Sequence, residues 1–234
     1  MIVGSIKEDL SIEKRVSITP ETAKNIINLG LKVVLENNYA THIGIADKEY
    51  ETVGVEIKNS SKEVLNSCKL LVKVNCPSDD EILNFKDKTI IIGMLNPSKN
   101  KNKINDIIKK NINIFSLELL PRISRAQSMD VLSSQSNLAG YRSVIDSIYE
   151  FEKAIPMMMT AAGTVPAAKV LIIGAGVAGL QAIATAKRLG AIVSATDVRA
   201  ASKEQVESLG GKFLTVEQSE NLETKGGYAK EVSE

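Results

Sequence analysis

The chain has 234 residues, of which 44% are hydrophobic and 24% charged, and 29 Lys and Arg stand against 28 Asp and Glu for a formal net charge of +1. That length suits two modest domains with cores of their own, and the even charge balance removes the electrostatic case for binding nucleic acid or an anionic membrane surface. Two cysteines, Cys68 and Cys76, sit in no metal-ligand pattern and read as reduced core thiols.

The N-terminus reads as a strand over 2–6 and not as a signal peptide. Thr19-Pro20-Glu21 is an N-cap followed by proline at the first helical position, and Gly30 ends that helix. A strand follows over 31–35, then helices over 47–53 and 61–66 and a strand over 70–74. Ser78-Asp79-Asp80-Glu81 is a capping box that opens another helix. A strand over 89–95, a polar-faced helix over 99–110 and a strand over 112–119 complete the first half. Strand–helix alternation of this kind predicts a parallel, doubly wound sheet.

A long helix is expected over 137–154, with Ala139, Val144, Ile148 and Phe151 near one face, bridging two domains. The longest apolar stretch, about 165–186, contains Lys169, Gln181 and a glycine turn, so it is a buried strand and helix rather than a membrane span. Within it, Lys169 to Ile173 is an apolar strand, Gly174-Ala175-Gly176-Val177-Ala178-Gly179 is the turn, and a helix runs on to Gly190. A second apolar run, 191–196, is closed by Asp197, 18 residues after Gly179, which fits the dinucleotide-binding fingerprint. Gly174 permits the tight turn, Gly176 lets backbone approach a pyrophosphate, and Gly179 lets the helix sit close to the strand. The pyrophosphate then rests on the helix N-terminus. Asp197 accepts from the adenosine ribose hydroxyls of NAD and repels the 2′-phosphate of NADP, while Arg199 favours NADP only if it turns inward. A helix over 201–209 and a strand over 213–216 follow, and the polar tail 217–234 reads as a mobile loop.

The expected fold class is α/β: two Rossmann-like, doubly wound parallel-sheet domains joined by a long helix, the second incomplete. The expected boundaries are 1–136 for the N-terminal domain, 137–162 for the connecting helix and 163–234 for the NAD-binding domain. A full dinucleotide fold needs two βαβαβ halves. Residues 163–234 hold about one, so the chain is expected to be a piece of a longer one.

Several segments together resemble the NAD(H)-binding part of the alpha subunit of proton-translocating NAD(P) transhydrogenases. Lys7-Glu8, Arg15-Val16 and Thr19-Pro20-Glu21 are shared with alanine dehydrogenases and mark only the wider superfamily. The specific segment is Pro121 to Asn137, PRISRAQSMDVLSSQSN. It is similar to the loop that carries an Arg, a Gln and an Asp to the nicotinamide, and by that motif Arg122, Gln127, Asp130 and Ser133 are the catalytic set. The resemblance adds Ile123 and Ser124 beside Arg122 and Gln127 as cofactor contacts. It adds Val177 beside Gly174, Gly176 and Gly179, and it makes Asp197, Val198 and Arg199 the adenosine-ribose site. The tail Gly226-Gly227-Tyr228-Ala229-Lys230-Glu231 is similar to a loop that closes over nucleotide through its tyrosine, which makes Gly227 and Tyr228 contacts as well.

The resemblance implies a proton-translocating transhydrogenase of the Si/re-specific type. NAD(H) is bound on this chain, NADP(H) lies on a partner domain, and a membrane-spanning component moves protons. It implies no metal, a homodimer when full length, and a peripheral position on the cytoplasmic side of the inner membrane with no span in this chain. The family's component continues past residue 234, so this chain alone is expected to be inactive.

Each assignment has an ordinary structural reading beside it: a surface ion pair for Arg122, a loop-to-backbone bond for Gln127, a helix cap for Asp130 and Ser133, and a tail aromatic for Tyr228. Two other functions compete, an alanine-dehydrogenase-like oxidoreductase and a non-catalytic NAD-binding module. A dehydrogenase needs a proton donor, usually histidine. Where that histidine follows the strand over 89–95 in the dehydrogenases, this chain has Asn96, and its single histidine is His42 in an early loop. Arg15 and Lys73, which resemble substrate-carboxylate residues of the dehydrogenases, then read as structural charges. Hydride passing between two nicotinamides needs no proton donor, only rings held in contact and shielded from water.

Overall fold

Alternating strands and helices in residues 1–121 close into a six-stranded sheet whose pairings are all parallel. In chain order the elements are β1 (Ile2–Ser5), α1 (Pro20–Asn28), β2 (Lys32–Glu36), α2 (Asp47–Thr52), β3 (Glu56–Lys58), α3 (Ser61–Ser67), β4 (Leu70–Asn75), α4 (Asp79–Leu83), β5 (Ile90–Met94), α5 (Lys101–Lys109) and β6 (Asn113–Ser116). The computed structural model describes residues 1–121 and 123–215. The strand order, β3-β2-β1-β4-β5-β6, reverses direction between β1 and β4. Such a reversal leaves a crevice past the C-terminal ends of those two strands. Side chains alternate between faces along β2: Val33 and Leu35 join one core cluster and Val34 the other, all three buried, so both faces of the sheet are covered.

Local chemistry sets the element ends. Thr19 caps α1 by accepting from the Thr22 N–H at 3.2 Å, with Pro20 leading the helix. Ser78 and Glu81 form the reciprocal box at α4, the Ser78 Oγ accepting from the Glu81 N–H and Glu81 Oε2 from the Ser78 N–H. Strand β3 was not expected, because its three residues are polar at both ends and carry no run of apolar alternation.

Residues 122–234 form a second unit. Its described elements are α6 (Val131–Phe151), a hairpin of β7 (Met158–Thr160) and β8 (Gly163–Val165), β9 (Lys169–Ile173), α7 (Val177–Arg188), β10 (Ile192–Thr196), α8 (Ser202–Ser208) and β11 (Lys212–Phe213). The last three strands pair in parallel in the order β11-β10-β9. Helix α6 differs from the expected connector. It begins at Val131 rather than 137 and packs along α7 within the second unit. By compactness the chain divides after Pro121, which places α6 in the second unit. The early start has a local cause, since Asp130 Oδ1 accepts from the Ser133 N–H at 3.0 Å and caps the helix. The close packing has another. A Cβ on Gly140 would stand 2.1 Å from the Ala178 carbonyl oxygen, so only glycine lets α6 approach the start of α7. Among the described residues no helix is long and apolar enough to cross a membrane.

A buried charge cluster fills the end of β4. Lys73, only 5% exposed, donates from Nζ to both Glu81 oxygens at 2.9 Å and lies 3.6 Å from Glu8 Oε2. Glu8 Oε1 accepts from the Val74 N–H at 2.7 Å, which ties the chain after β1 to β4. Burial pushes the Glu8 carboxyl above its ordinary value of 4.5, and Lys73 beside it pulls part of the way back. A raised folded value means that the folded state holds the proton to higher pH. Glu8 therefore costs nothing below the unfolded value and costs stability as pH rises through the folded one. Replacing Lys73 with Met strands these carboxylates and should destabilise the first unit by about 3 kcal/mol at pH 7. Chemical denaturation at pH 7 and pH 5 checks this. The loss should shrink at pH 5 as Glu8 takes up a proton, and an equal loss at both would contradict the account.

Candidate functional site

Strand β9 delivers the chain to the glycine turn, and each glycine meets a different constraint. Gly174 has φ +90°, a conformation that disfavours any side chain, and its N–H donates to the Thr196 carbonyl at 2.8 Å. A Cβ at Gly179 would lie 1.8 Å from the Gly174 carbonyl oxygen, so helix and turn touch there through backbone alone. Gly176 is different. Its φ of −74° suits any residue, and around an added Cβ the nearest atom is Arg199 Nη2 at 4.0 Å. The fold does not require glycine at 176; a group lying against the backbone there would. Helix α7 starts immediately after, with no side chain capping it, and the first-turn N–H groups of a helix lack intrahelical acceptors.

Asp197 follows β10 and faces this turn. Its Oδ2 accepts from the Ala175 N–H at 2.6 Å and from Arg199 Nη2 at 2.9 Å. Its Oδ1 accepts from the Arg199 N–H at 2.8 Å and from Arg199 Nε at 2.9 Å. The Arg199 guanidinium beside it, helped by the two backbone N–H groups, holds its carboxyl down at about 2. Asp197 is therefore ionised across the whole working range of pH. A cavity of about 1270 Å³ runs between one face of α6 and strand β9, with Gly174, Gly176, Asp197, Val198 and Arg199 also lining it. The α6 face with Ala139, Val144, Ile148 and Phe151 was read in the sequence as a bridge between domains and not as a wall of this cavity, and the Ala175 N–H was not anticipated. The one available signal was Gly140, since a glycine inside a helix costs about 1 kcal/mol unless packing needs it.

The loop before α6 is placed in part. Arg122, Gly227 and Tyr228 lie outside the described residues. Ile123 and Ser124 are exposed and open a 3-10 turn, Ser124–Met129, that carries the exposed Gln127. Asp130 and Ser133 are brought together, the Ser133 Oγ donating to Asp130 Oδ2 at 2.6 Å beside the cap bond already described. Ser133 lines the cavity beside α6 and β9; Ile123, Ser124, Gln127 and Asp130 are not among its lining residues. Val177 lines it from the first turn of α7.

In the first unit, the cations that resemble substrate-carboxylate residues are engaged within the fold. Lys73 is held by Glu81 and Glu8. Arg15 donates to Glu13 through Nε at 2.8 Å and Nη2 at 2.6 Å. Asn96 stands after β5 with φ +46°, its N–H bonded to Glu118 and its Oδ1 accepting from the Ser98 Oγ at 3.1 Å. His42 is remote from that strand end in sequence, and its Nε2 bonds the Lys14 carbonyl at 2.8 Å. Among the described residues no cluster of His, Cys, Asp and Glu could hold a metal ion.

Comparison with known proteins gives the family. The family described as alanine dehydrogenase/PNT, N-terminal domain, matches residues 4–139, and its C-terminal domain matches residues 143–231. An NAD(P) transhydrogenase subunit alpha component from Rhodospirillum rubrum is 51% identical over 241 aligned residues. That match covers 100% of this chain and 63% of the relative, so the chain spans less than two thirds of the protein it resembles. The crystal structure of transhydrogenase from Sinorhizobium meliloti superposes with a TM-score of 0.88 at 49% identity, covering 92% of this chain and 64% of that one. An alanine dehydrogenase of Methanococcus maripaludis is more distant, 28% identical over 92% of this chain and 58% of the relative.

The three glycines should separate on substitution. Gly176→Ala should leave the unfolding midpoint unchanged while weakening dinucleotide binding by about tenfold or more. Gly179→Ala, which drives a methyl into a carbonyl, should cost about 3 kcal/mol or more. Thermal unfolding and NADH titration of the two variants check this, and loss of stability in Gly176→Ala would show that the fold itself needs that glycine.

Proposed function

The chain belongs to the alanine dehydrogenase/PNT family, and on that premise we propose that it is the NAD(H)-binding portion of a proton-translocating NAD(P) transhydrogenase. In this reading NADH is held on the second unit, NADP(H) on a partner component, and a membrane-spanning partner couples the transfer to proton movement. The whole protein works at the cytoplasmic face of the inner membrane and pairs as a homodimer. The carrying observation is Gly176: a glycine that no contact within the fold demands, set between an uncapped helix start and an ionised acid. A pyrophosphate against that backbone uses both the open space and the helix N–H groups.

The residues divide the work. The turn 174–176 and the first turn of α7 take the pyrophosphate, and Asp197 with Val198 and Arg199 takes the adenosine ribose. Arg122, Ile123, Ser124 and Gln127 hold the nicotinamide end, Asp130 and Ser133 fix the loop that presents them, and Gly227 and Tyr228 close over it. Bound there, NADH supplies a hydride to the partner's nucleotide. What the chain must contribute is alignment and exclusion of water.

The alanine-dehydrogenase alternative is weakened by three features of the first unit. Lys73 and Arg15 are paired with Glu8, Glu81 and Glu13, and Asn96 cannot exchange a proton near neutral pH.

The test is hydride transfer from NADH to an NADP analogue in the presence of the partner components, with pyruvate and ammonia as the competing substrates. Transfer to the analogue and no turnover of pyruvate is expected, and real pyruvate turnover would sink the proposal. Gln127→Asn should slow transfer by about tenfold or more while changing NADH affinity less than about threefold, as expected of a positioning group. Equal losses in both would refute that role.

A further inference from the structure

Helices α6 and α7 are joined by a backbone contact and, one turn away, by a bond between side chains. At the first, the Gly140 backbone lies against Ala178, where an added Cβ would stand 2.1 Å from the carbonyl oxygen. At the second, Asn137 Nδ2 donates to Gln181 Oε1 at 3.3 Å. Asn137 precedes Gly140 by three residues and Gln181 follows Ala178 by three. The helices therefore run in opposite senses, and the bond lies about 4.5 Å from the backbone contact along each of them. Gln181 is held from behind. Its Nε2 donates to Thr185 Oγ1 at 3.2 Å, and Thr185, only 6% exposed, donates from Oγ1 to the Gln181 carbonyl at 2.8 Å.

We propose that Asn137 and Gln181 are positioning residues for hydride transfer: their bond sets the rotation of α6 against α7, and with it the place of the loop that carries Gln127. This rests on the reading of the second unit as the NAD(H) side of a transhydrogenase. The backbone contact at Gly140 fixes how close the helices come, but not how α6 is turned about its own axis. The apolar neighbours, among them Val144, Ala182 and Ile183, attract without direction, whereas a hydrogen bond is directional. Asn137 stands seven residues after the capping residue Asp130. Seven residues fall about 20° short of two turns, so bond and cap share nearly one face of α6. A rotation of α6 by about 10° moves a group about 5–6 Å from the axis by about 1 Å. A misplacement of that size costs up to about a hundredfold in rate. The pyrophosphate seat lies on α7 and the turn before it, so its binding is spared. The bond itself is exposed, and water takes its place at little cost to stability.

Four variants test this: Asn137→Leu, Gln181→Leu, the two together, and the exchange of Asn137→Gln with Gln181→Asn, which keeps both amides. Three quantities are read for each: the thermal midpoint, NADH affinity by fluorescence titration, and hydride transfer from saturating NADH to an NADP analogue with the partner components present. Each single variant should slow transfer about tenfold, hold NADH affinity within about threefold and shift the midpoint by less than about 3 °C. The double variant should be no slower than either single one, because both remove the same bond. The exchange should recover transfer to within about threefold of the unsubstituted protein.

Transfer at the unsubstituted rate in Asn137→Leu, a loss of NADH affinity in step with the rate, losses that multiply in the double variant, or an exchange that recovers nothing would each overturn the proposal while the transhydrogenase reading stands. If the unsubstituted protein transfers no hydride from NADH with the partner components present, that reading falls and the proposal with it.

Discussion

The second unit is organised around one carboxylate. Asp197 receives the Ala175 N–H from the loop after β9 and the Arg199 N–H from its own loop after β10. Two adjacent strand ends are thereby tied at the point where a parallel α/β sheet places its ligands. Because these donors and the guanidinium stabilise the charged form, the acid is ionised without help from solvent. The glycine turn keeps its shape partly because Ala175 is pinned to that acid. The opening at Gly176 then depends on a bond to a residue distant in sequence, brought alongside because β9 and β10 pair in parallel.

The first unit solves the same topological problem with the opposite outcome. Its sheet also ends β1 and β4 side by side, and charged groups gather there. Glu8 bonds the Val74 N–H much as Asp197 bonds Ala175. Here, however, the cation is a lysine almost wholly buried between two carboxylates, one of which also closes the cap of α4. Removing Lys73 from those partners to greet an incoming carboxylate would uncover buried charge. Arg199 keeps about 19% of its side chain exposed, whereas Lys73 keeps 4% and is shared between a strand tie and a helix cap. The two clusters differ in their cation, almost wholly buried in the first and partly exposed in the second.

Much of this was legible in the sequence, because the signals were local. The threonine and proline at 19–20, the box at 78–81 and the alternating apolar strands each carry their cause within a few residues, and their elements stand where expected. The glycine turn was legible for the same reason. What could not be read was set by pairings distant in sequence or by which of several partners a side chain chooses. Strand β3 exists because β2 offers an edge, and its own residues give no sign of it. The true start of α6 turned on whether Asp130 spends its carboxylate on a cap or on a ligand, a choice residue type leaves open. Arg199 was visible as a residue near the acid, but its grip on both oxygens depends on a side-chain geometry no spacing encodes.

The cap at Asp130 and a role near the nicotinamide are not competing explanations. Hydride transfer without a proton donor gains only from alignment, and alignment is limited by the softest link between the two ends of the nucleotide site. Asp130 and Ser133 start α6 with two hydrogen bonds. About two turns further on, Gly140 sets α6 against Ala178 by backbone contact, and Ala178 lies in the first turn of α7 beside the pyrophosphate seat. A single rigid path therefore runs from the loop that carries Gln127 through the cap, along one helix and into the glycine turn. A cap at the head of that path fixes the distance between the groups that would hold the nicotinamide and those that would hold the phosphates. The cap formed by Asp130 and Ser133 is thus compatible with the positioning role proposed for them.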